Sequence, residues 1–218
     1  MKYVQIISSR PVGKRCFELA EKRLPPGWKL IEQMDRPHNL GDGGVVISVL
    51  YADVIKEFYP RQRYYNFHPG ILPEYAGSAT LSWSILNGER EAGCTLHELV
   101  REVDGGDIID IRKFPIMRYD TAESLAGKFT EFAQWMFVDW FERLLEGGIE
   151  MRPQDKSKRR NYKRSEIYSE LDLTRRIRAF TFEGKEEPFF VAKDGTRFGL
   201  SYDRGVIIHK KEQDETIK

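Results

Sequence analysis

The sequence predicts an α/β fold: a Rossmann-like, mostly parallel sheet flanked by helices, followed by a small strand-rich C-terminal unit. Two observations predict the sheet. Short apolar runs at residues 3–7, 28–31 and 45–50 alternate with helical stretches in the first half of the chain. The run Val45-Val46-Ile47-Ser48-Val49-Leu50 is apolar almost throughout, as a strand covered on both faces requires. A third observation predicts the C-terminal unit. Beyond residue 152 the texture turns polar and basic, then breaks into short strands separated by turns at Asp194-Gly195 and Asp203-Arg204-Gly205.

The elements follow in order. Residues 3–7 read as a buried strand, 13–23 as a helix, and Pro25-Pro26-Gly27 as the turn into a strand at 28–31. The third strand is the apolar run at 45–50, and the fourth is expected at 64–67. The clearest helix is expected over 121–146, with Asp120 and Glu123 forming a capping box and Gly147-Gly148 the stop. Ala122, Leu125, Phe129, Phe132, Met136, Trp140 and Leu144 recur at three- and four-residue spacing, which reads as a core face. The predicted organisation is a main domain over 1–152, a solvated basic linker over 153–164 and a small α+β unit over 165–218. That unit would hold a helix over 164–180 and strands near 189–191, 197–200 and 206–208, with turns at Asp194-Gly195 and 203–205.

Composition narrows the function. Lys and Arg total 35 against 34 Asp and Glu, so no global basic excess points to a nucleic-acid backbone. Two isolated cysteines, Cys16 and Cys94, give neither a disulfide framework nor zinc-ligand spacing, and no metal is expected. No apolar stretch approaches the roughly 20 residues of a membrane span, and the opening Met1-Lys2-Tyr3-Val4 runs directly into a strand rather than a signal-peptide core. A cytoplasmic protein without membrane partners is expected.

The chemistry concentrates in Tyr65-Asn66-Phe67-His68-Pro69-Gly70 and, later, Val103-Asp104-Gly105-Gly106. Residues two apart on a strand share a face, so Asn66 and His68 point together. Pro69 favours extended backbone at His68, and Gly70 permits a sharp exit into a loop. A strand end of this kind is the usual place for a site in an open α/β sheet. A carboxamide can donate to a developing oxyanion, an imidazole can relay a proton, and a carboxylate can orient the imidazole and accept the proton of an amine. Singly, an Asn before a turn, a His at a strand end or an Asp-Gly pair has an ordinary structural reading. Together they suit formyl transfer to an amine.

These residues carry a family resemblance. Asn66-Phe67-His68-Pro69-Gly70-Ile71-Leu72-Pro73 resembles the Asn-x-His-Pro-[Ser/Gly]-x-Leu-Pro signature of the folate-dependent formyltransferases. The run from Tyr75-Ala76-Gly77 to Asn87-Gly88-Glu89, the strand Gly93-Cys94-Thr95-Leu96-His97 and the loop Val103-Asp104-Gly105-Gly106-Asp107-Ile108-Ile109 resemble later pieces of the same pattern. The resemblance implies a formyltransferase fold, Asn66, His68 and Asp104 as catalytic residues, and N10-formyltetrahydrofolate as formyl donor. It places the pterin against the backbone of Ser48, Val49, Leu50 and Tyr51, with the Asp104-Gly105 loop opposite. His97 belongs to the pattern, with a structural role at least as expected as a catalytic one.

Three acceptors fit the resemblance: a nucleotide-linked amino sugar, methionyl-tRNA or glycinamide ribonucleotide. The segment at 32–44 is short and balanced in charge for a tRNA clamp, and Ser8-Ser9-Arg10-Pro11-Val12-Gly13-Lys14 is no glycine-rich phosphate loop. The short strand-rich tail resembles that of sugar N-formyltransferases, which favours a dTDP- or GDP-linked 4-amino-4,6-dideoxyhexose and implies a homodimer serving polysaccharide synthesis. Arg10, Lys14, Tyr75 and Gly77 are acceptor-binding candidates by position. A non-catalytic folate- or nucleotide-binding module is the alternative of a different class.

Overall fold

The computed structural model describes residues 1–32, 35–164, 173–182, 189–191, 197–203 and 206–211. A six-stranded sheet forms its centre, in the order β2-β1-β3-β4-β6-β7. Strands β1 (Lys2–Ile7), β2 (Trp28–Ile31), β3 (Val45–Val49) and β4 (Arg63–His68) pair in parallel. Strands β6 (Glu91–Glu98) and β7 (Ile108–Pro115) complete the sheet antiparallel. The sheet is therefore parallel on one side of β4 and antiparallel on the other. Every residue of β3 is buried, as its apolar run requires.

Helix α1 (Pro11–Arg23) follows β1. It starts two residues earlier than its apolar pattern suggests, because Pro11 suits the first helical position, where no N–H is needed. Val12, Cys16 and Ala20 form its buried stripe. Gly13 lies so close to Ser8 that a Cβ would stand 2.1 Å from the Ser8 Cβ. Helix α3 (Ala122–Glu146) buries Leu125, Phe129, Met136, Phe137, Phe141 and Leu144. Phe132 and Trp140, expected in the core, are half-buried at its edge, and Ala133, Phe137 and Phe141 take the interior instead. The cap also differs from expectation. Thr121 caps the helix and exchanges hydrogen bonds with Ser124, while the Asp120 carboxylate accepts from the Met117 N–H and from Lys128.

Strand β5 (Ala76–Gly77) pairs in parallel with β8 (Asn161–Tyr162), which lies in the basic stretch after α3. That stretch, expected as a solvated linker, is laced to β5 and the residue after it: the Ala76 N–H donates to the Arg160 carbonyl and the Ser78 N–H to the Tyr162 carbonyl. Helix α2 (Thr80–Leu86) packs against α4 (Leu173–Phe180), where the Ser82 hydroxyl donates to the Ala179 carbonyl at 2.9 Å. The strands β9 (Phe189–Val191), β10 (Arg197–Asp203) and β11 (Val206–Lys211) form a separate antiparallel sheet. The expected start of the C-terminal helix at 165–172 and the turns at Asp194-Gly195 and Arg204-Gly205 lie outside the described residues.

Candidate active site

Strand β4 delivers Asn66 and His68 at its C-terminal end, beside His97 and Thr95 of β6. The chain after His68 turns back under control of Thr95, whose hydroxyl donates to the Gly70 carbonyl and accepts the Leu72 N–H. The Asp104 loop approaches from the connection between β6 and β7. The Asp104 carboxylate accepts the Gly77 N–H at 2.8 Å and lies 3.3 Å from His68 Nδ1. Gly77 has φ +95, and a Cβ there would lie 2.2 Å from the Tyr162 carbonyl, so only glycine fits between β8 and Asp104.

The carbonyls around the two histidines fix their protons. His68 Nε2 lies 2.7 Å from the Tyr75 carbonyl oxygen, which can only accept, so Nε2 is protonated. A bare Nδ1 lone pair would repel the facing carboxylate, so a second proton lies between His68 and Asp104. Burial opposes this charge, but the Asp104 carboxylate and its hydrogen bond outweigh burial and raise the His68 pKa. Burial would likewise raise Asp104; the His68 charge, its hydrogen bond, His97 and the Gly77 N–H together hold the carboxyl well below its ordinary range.

His97 is the opposite case. Its Nδ1 donates to the Glu98 carbonyl at 2.6 Å, and its Nε2 lies 3.2 Å from Asn66 Nδ2. Burial lowers its pKa to about 4, so the ring is neutral at pH 7 and Nε2 accepts. Asn66 must therefore turn its NH2 towards His97, which leaves its second N–H for the cleft.

Asn66, His68 and Asp104 line one side of a cleft of about 570 Å³, a size that suits a small-molecule site. Ser48, Leu50 and Tyr51 line it from the loop after β3, and Arg10 and Gly77 stand at its rim. Leu50 has φ +52, which turns the chain over the cleft. Four of the sequence-predicted residues do not line this cleft. The Val49 side chain points into the core, Lys14 is exposed on α1, Gly105 lies behind its loop against Glu102, and Tyr75 faces a neighbouring cavity.

The sequence reading did not single out Gln154, Arg159 or Tyr162. Gln154 and Arg159 hold the Asp104 loop by its carbonyls, and Tyr162 lines the cleft while stacking on Tyr75 at 5.1 Å. Arg159 lies in the basic cluster that reads as a solvated linker, and no pattern marks Gln154 or Tyr162.

The comparisons with known proteins find similarity to formyl transferases. The model of the formyl transferase family matches residues 44–140. Methionyl-tRNA formyltransferase of Thermotoga neapolitana is 28% identical over 182 residues, covering 76% of this chain and 58% of the relative. The chain spans between 37% and 58% of the curated relatives it matches first. The fold is shared with an N-formyltransferase from Helicobacter canadensis, solved with folinic acid and dTDP-3-aminofucose (TM-score 0.73, 19% identity, 98% of this chain and 100% of that one). It is also shared with a methionyl-tRNA formyltransferase from Clostridium thermocellum (TM-score 0.68, 21% identity, 97% and 98%). Residues 44–140, the segment similar to the formyl transferase family, contain Asn66, His68 and Asp104.

Proposed function

We propose that the protein transfers the formyl group of N10-formyltetrahydrofolate to the amine of a nucleotide-linked amino sugar. The observation that carries the transfer is the meeting of Asn66, His68 and Asp104 in one cleft, with the His68 ring set by the Tyr75 carbonyl and the Asn66 amide by His97. The free Asn66 N–H donates to the oxygen of the formyl carbon as the amine adds to it. His68, held protonated, adds positive charge beside that oxygen. Asp104 accepts the proton the amine sheds, and that proton leaves with the folate nitrogen as its bond to the formyl carbon breaks. The backbone at Ser48–Tyr51 offers amides and carbonyls to the flat edge of the donor, beside the apolar walls of Leu50, Ile55 and Leu99.

Support for a phosphate-bearing acceptor comes from the cleft rim, where Arg10, Arg101, Lys163 and Arg164 gather. The sugar-nucleotide bound by the Helicobacter neighbour, matched along its whole length, supports the sugar class. The Thermotoga relatives favour methionyl-tRNA as a second reading, against which stands the net charge of only +1. We expect a cytoplasmic homodimer in polysaccharide synthesis. Among the described residues no helix is long and apolar enough to cross a membrane. The test is tetrahydrofolate release from the formyl donor with dTDP- and GDP-linked amino sugars, glycinamide ribonucleotide and methionyl-tRNA. Turnover confined to an amino sugar is expected. Turnover confined to methionyl-tRNA would overturn the acceptor, and folate binding without turnover would overturn the enzyme.

A further inference from the structure

Asp104 combines a demanding position with weak local support. Its φ of +50 is left-handed, a conformation aspartate tolerates better than most side chains but adopts infrequently, and two glycines follow it. Within its own loop the described backbone support is one turn, from the Gly105 N–H to the Glu102 carbonyl. Yet its carboxylate must meet His68 Nδ1 and the Gly77 N–H together.

We propose that Gln154 and Arg159 are positioning residues that hold the Asp104 carboxylate in register with His68. Gln154 Nε2 donates to the Asp104 carbonyl at 2.8 Å and to the Gly106 carbonyl at 2.6 Å. Arg159 donates from Nη1 to the Asp104 carbonyl at 2.9 Å and from Nη2 to the Val103 carbonyl. Three carbonyls of the loop backbone, those of Val103, Asp104 and Gly106, are thus gripped from outside. The grip is itself anchored at both ends. Arg152 and Ile108 exchange backbone hydrogen bonds at 2.8 Å just before Gln154, and the Ala76 N–H donates to the Arg160 carbonyl just after Arg159. Neither side chain lines the catalytic cleft, so each acts through Asp104 and not on substrate.

The test uses Gln154→Met, which keeps length and neutrality but loses both N–H donors, and Arg159→Lys, which keeps the charge but loses the fork. The readout is the His68 ring titration by NMR of protein labelled with 15N-histidine, alongside kcat, KM and thermal unfolding. Asp104, His97, Arg159 and the Tyr75 carbonyl face the His68 ring, and neither substitution changes the charge of any of them. If the clamp positions Asp104, the His68 midpoint falls in both variants because burial then acts with less opposition. Below the unfolding temperature kcat falls by about 100-fold, the scale of a 1 Å misplacement, while KM for the formyl donor stays. A lowered melting temperature with an unmoved His68 midpoint and unmoved kcat would overturn the clamp. The kinetic half rests on the formyl-transfer reading; wild-type protein inactive on every acceptor would end that reading, while the titration would still decide the clamp.

Discussion

Replacing His97 by Gln removes a titrating ring while keeping an oxygen that can accept the Asn66 N–H. The buried ring has its pKa lowered from the ordinary 6.5 to about 4. In the unfolded chain it binds a proton near 6.5, so acid favours unfolding. The stability is complete above pH 6.5 and is lost as the pH falls from there towards 4. At about 1.36 kcal/mol for each tenfold step, the whole effect is roughly 3 kcal/mol, and about 2 kcal/mol is already lost at pH 5. His68 carries the opposite sign: its raised pKa adds stability below 6.5 that fades as the pH climbs through its folded value. That contribution is common to both proteins and cancels in their difference. The assay is urea unfolding of wild type and His97→Gln at half-unit intervals from pH 8 to pH 5. The two curves should diverge below pH 6.5, wild type losing about 2 kcal/mol more by pH 5. Parallel curves over that range would mean that His97 is not held neutral, and the orientation derived for the Asn66 amide would fall with it.

Two further substitutions test the site and its support. Asn66→Ala should lower the single-turnover rate by about 10²–10³-fold and cost only about 1 kcal/mol in stability, the worth of its hydrogen bond to His97; a loss of less than tenfold would remove Asn66 from the reaction. Gly77→Ala should destabilise by about 1–3 kcal/mol and open residues 155–164 to protease, since its Cβ would meet the Tyr162 carbonyl at 2.2 Å. Gly43→Ala is the control, with φ +74 and no atom nearer than 3.7 Å to the new Cβ. Equal protease sensitivity in the two variants would show that backbone strain, and not the packing of β8, explains the effect.

Local pattern made the parallel half of the sheet readable. The β2 bounds match the apolar run, and β3 ends at Val49, one residue before Leu50 takes a left-handed turn that no propensity announces. The capping box slipped by one residue for a physical reason. Asp120 reads as the better cap, but Lys128 and the Met117 N–H claim its carboxylate, leaving Thr121 to cap. Asn66 and His68 were legible because a two-residue period settles their direction. Lys14 was not, because its reach towards a phosphate depended on which side of α1 it faced, and Val12, Cys16 and Ala20 turn it to solvent. Gln154 and Arg159 lie some 50 residues from Asp104 in a stretch whose charges read as a solvated linker. Hydrogen bonds from side chains to carbonyls leave no period in a sequence.

Two buried histidines, one strand apart, hold opposite protonation states, and the difference comes from geometry and not from burial. Both donate one ring nitrogen to a main-chain carbonyl. The second nitrogen of His68 faces the Asp104 carboxylate at 3.3 Å, while that of His97 faces the Asn66 amide at 3.2 Å and stands 3.7 Å from the same carboxylate. One ring can share its proton with the carboxylate only because the other does not compete for it. Protonating His97 would turn its Nε2 into a donor, so the Asn66 amide would have to reverse and present its oxygen. That reversal would swing both N–H groups away from His97 and move the donor from its present place. The acid limit of activity and the acid loss of stability should therefore share one cause, the titration of His97, and the carboxamide works as an oxyanion donor only while its neighbour stays neutral.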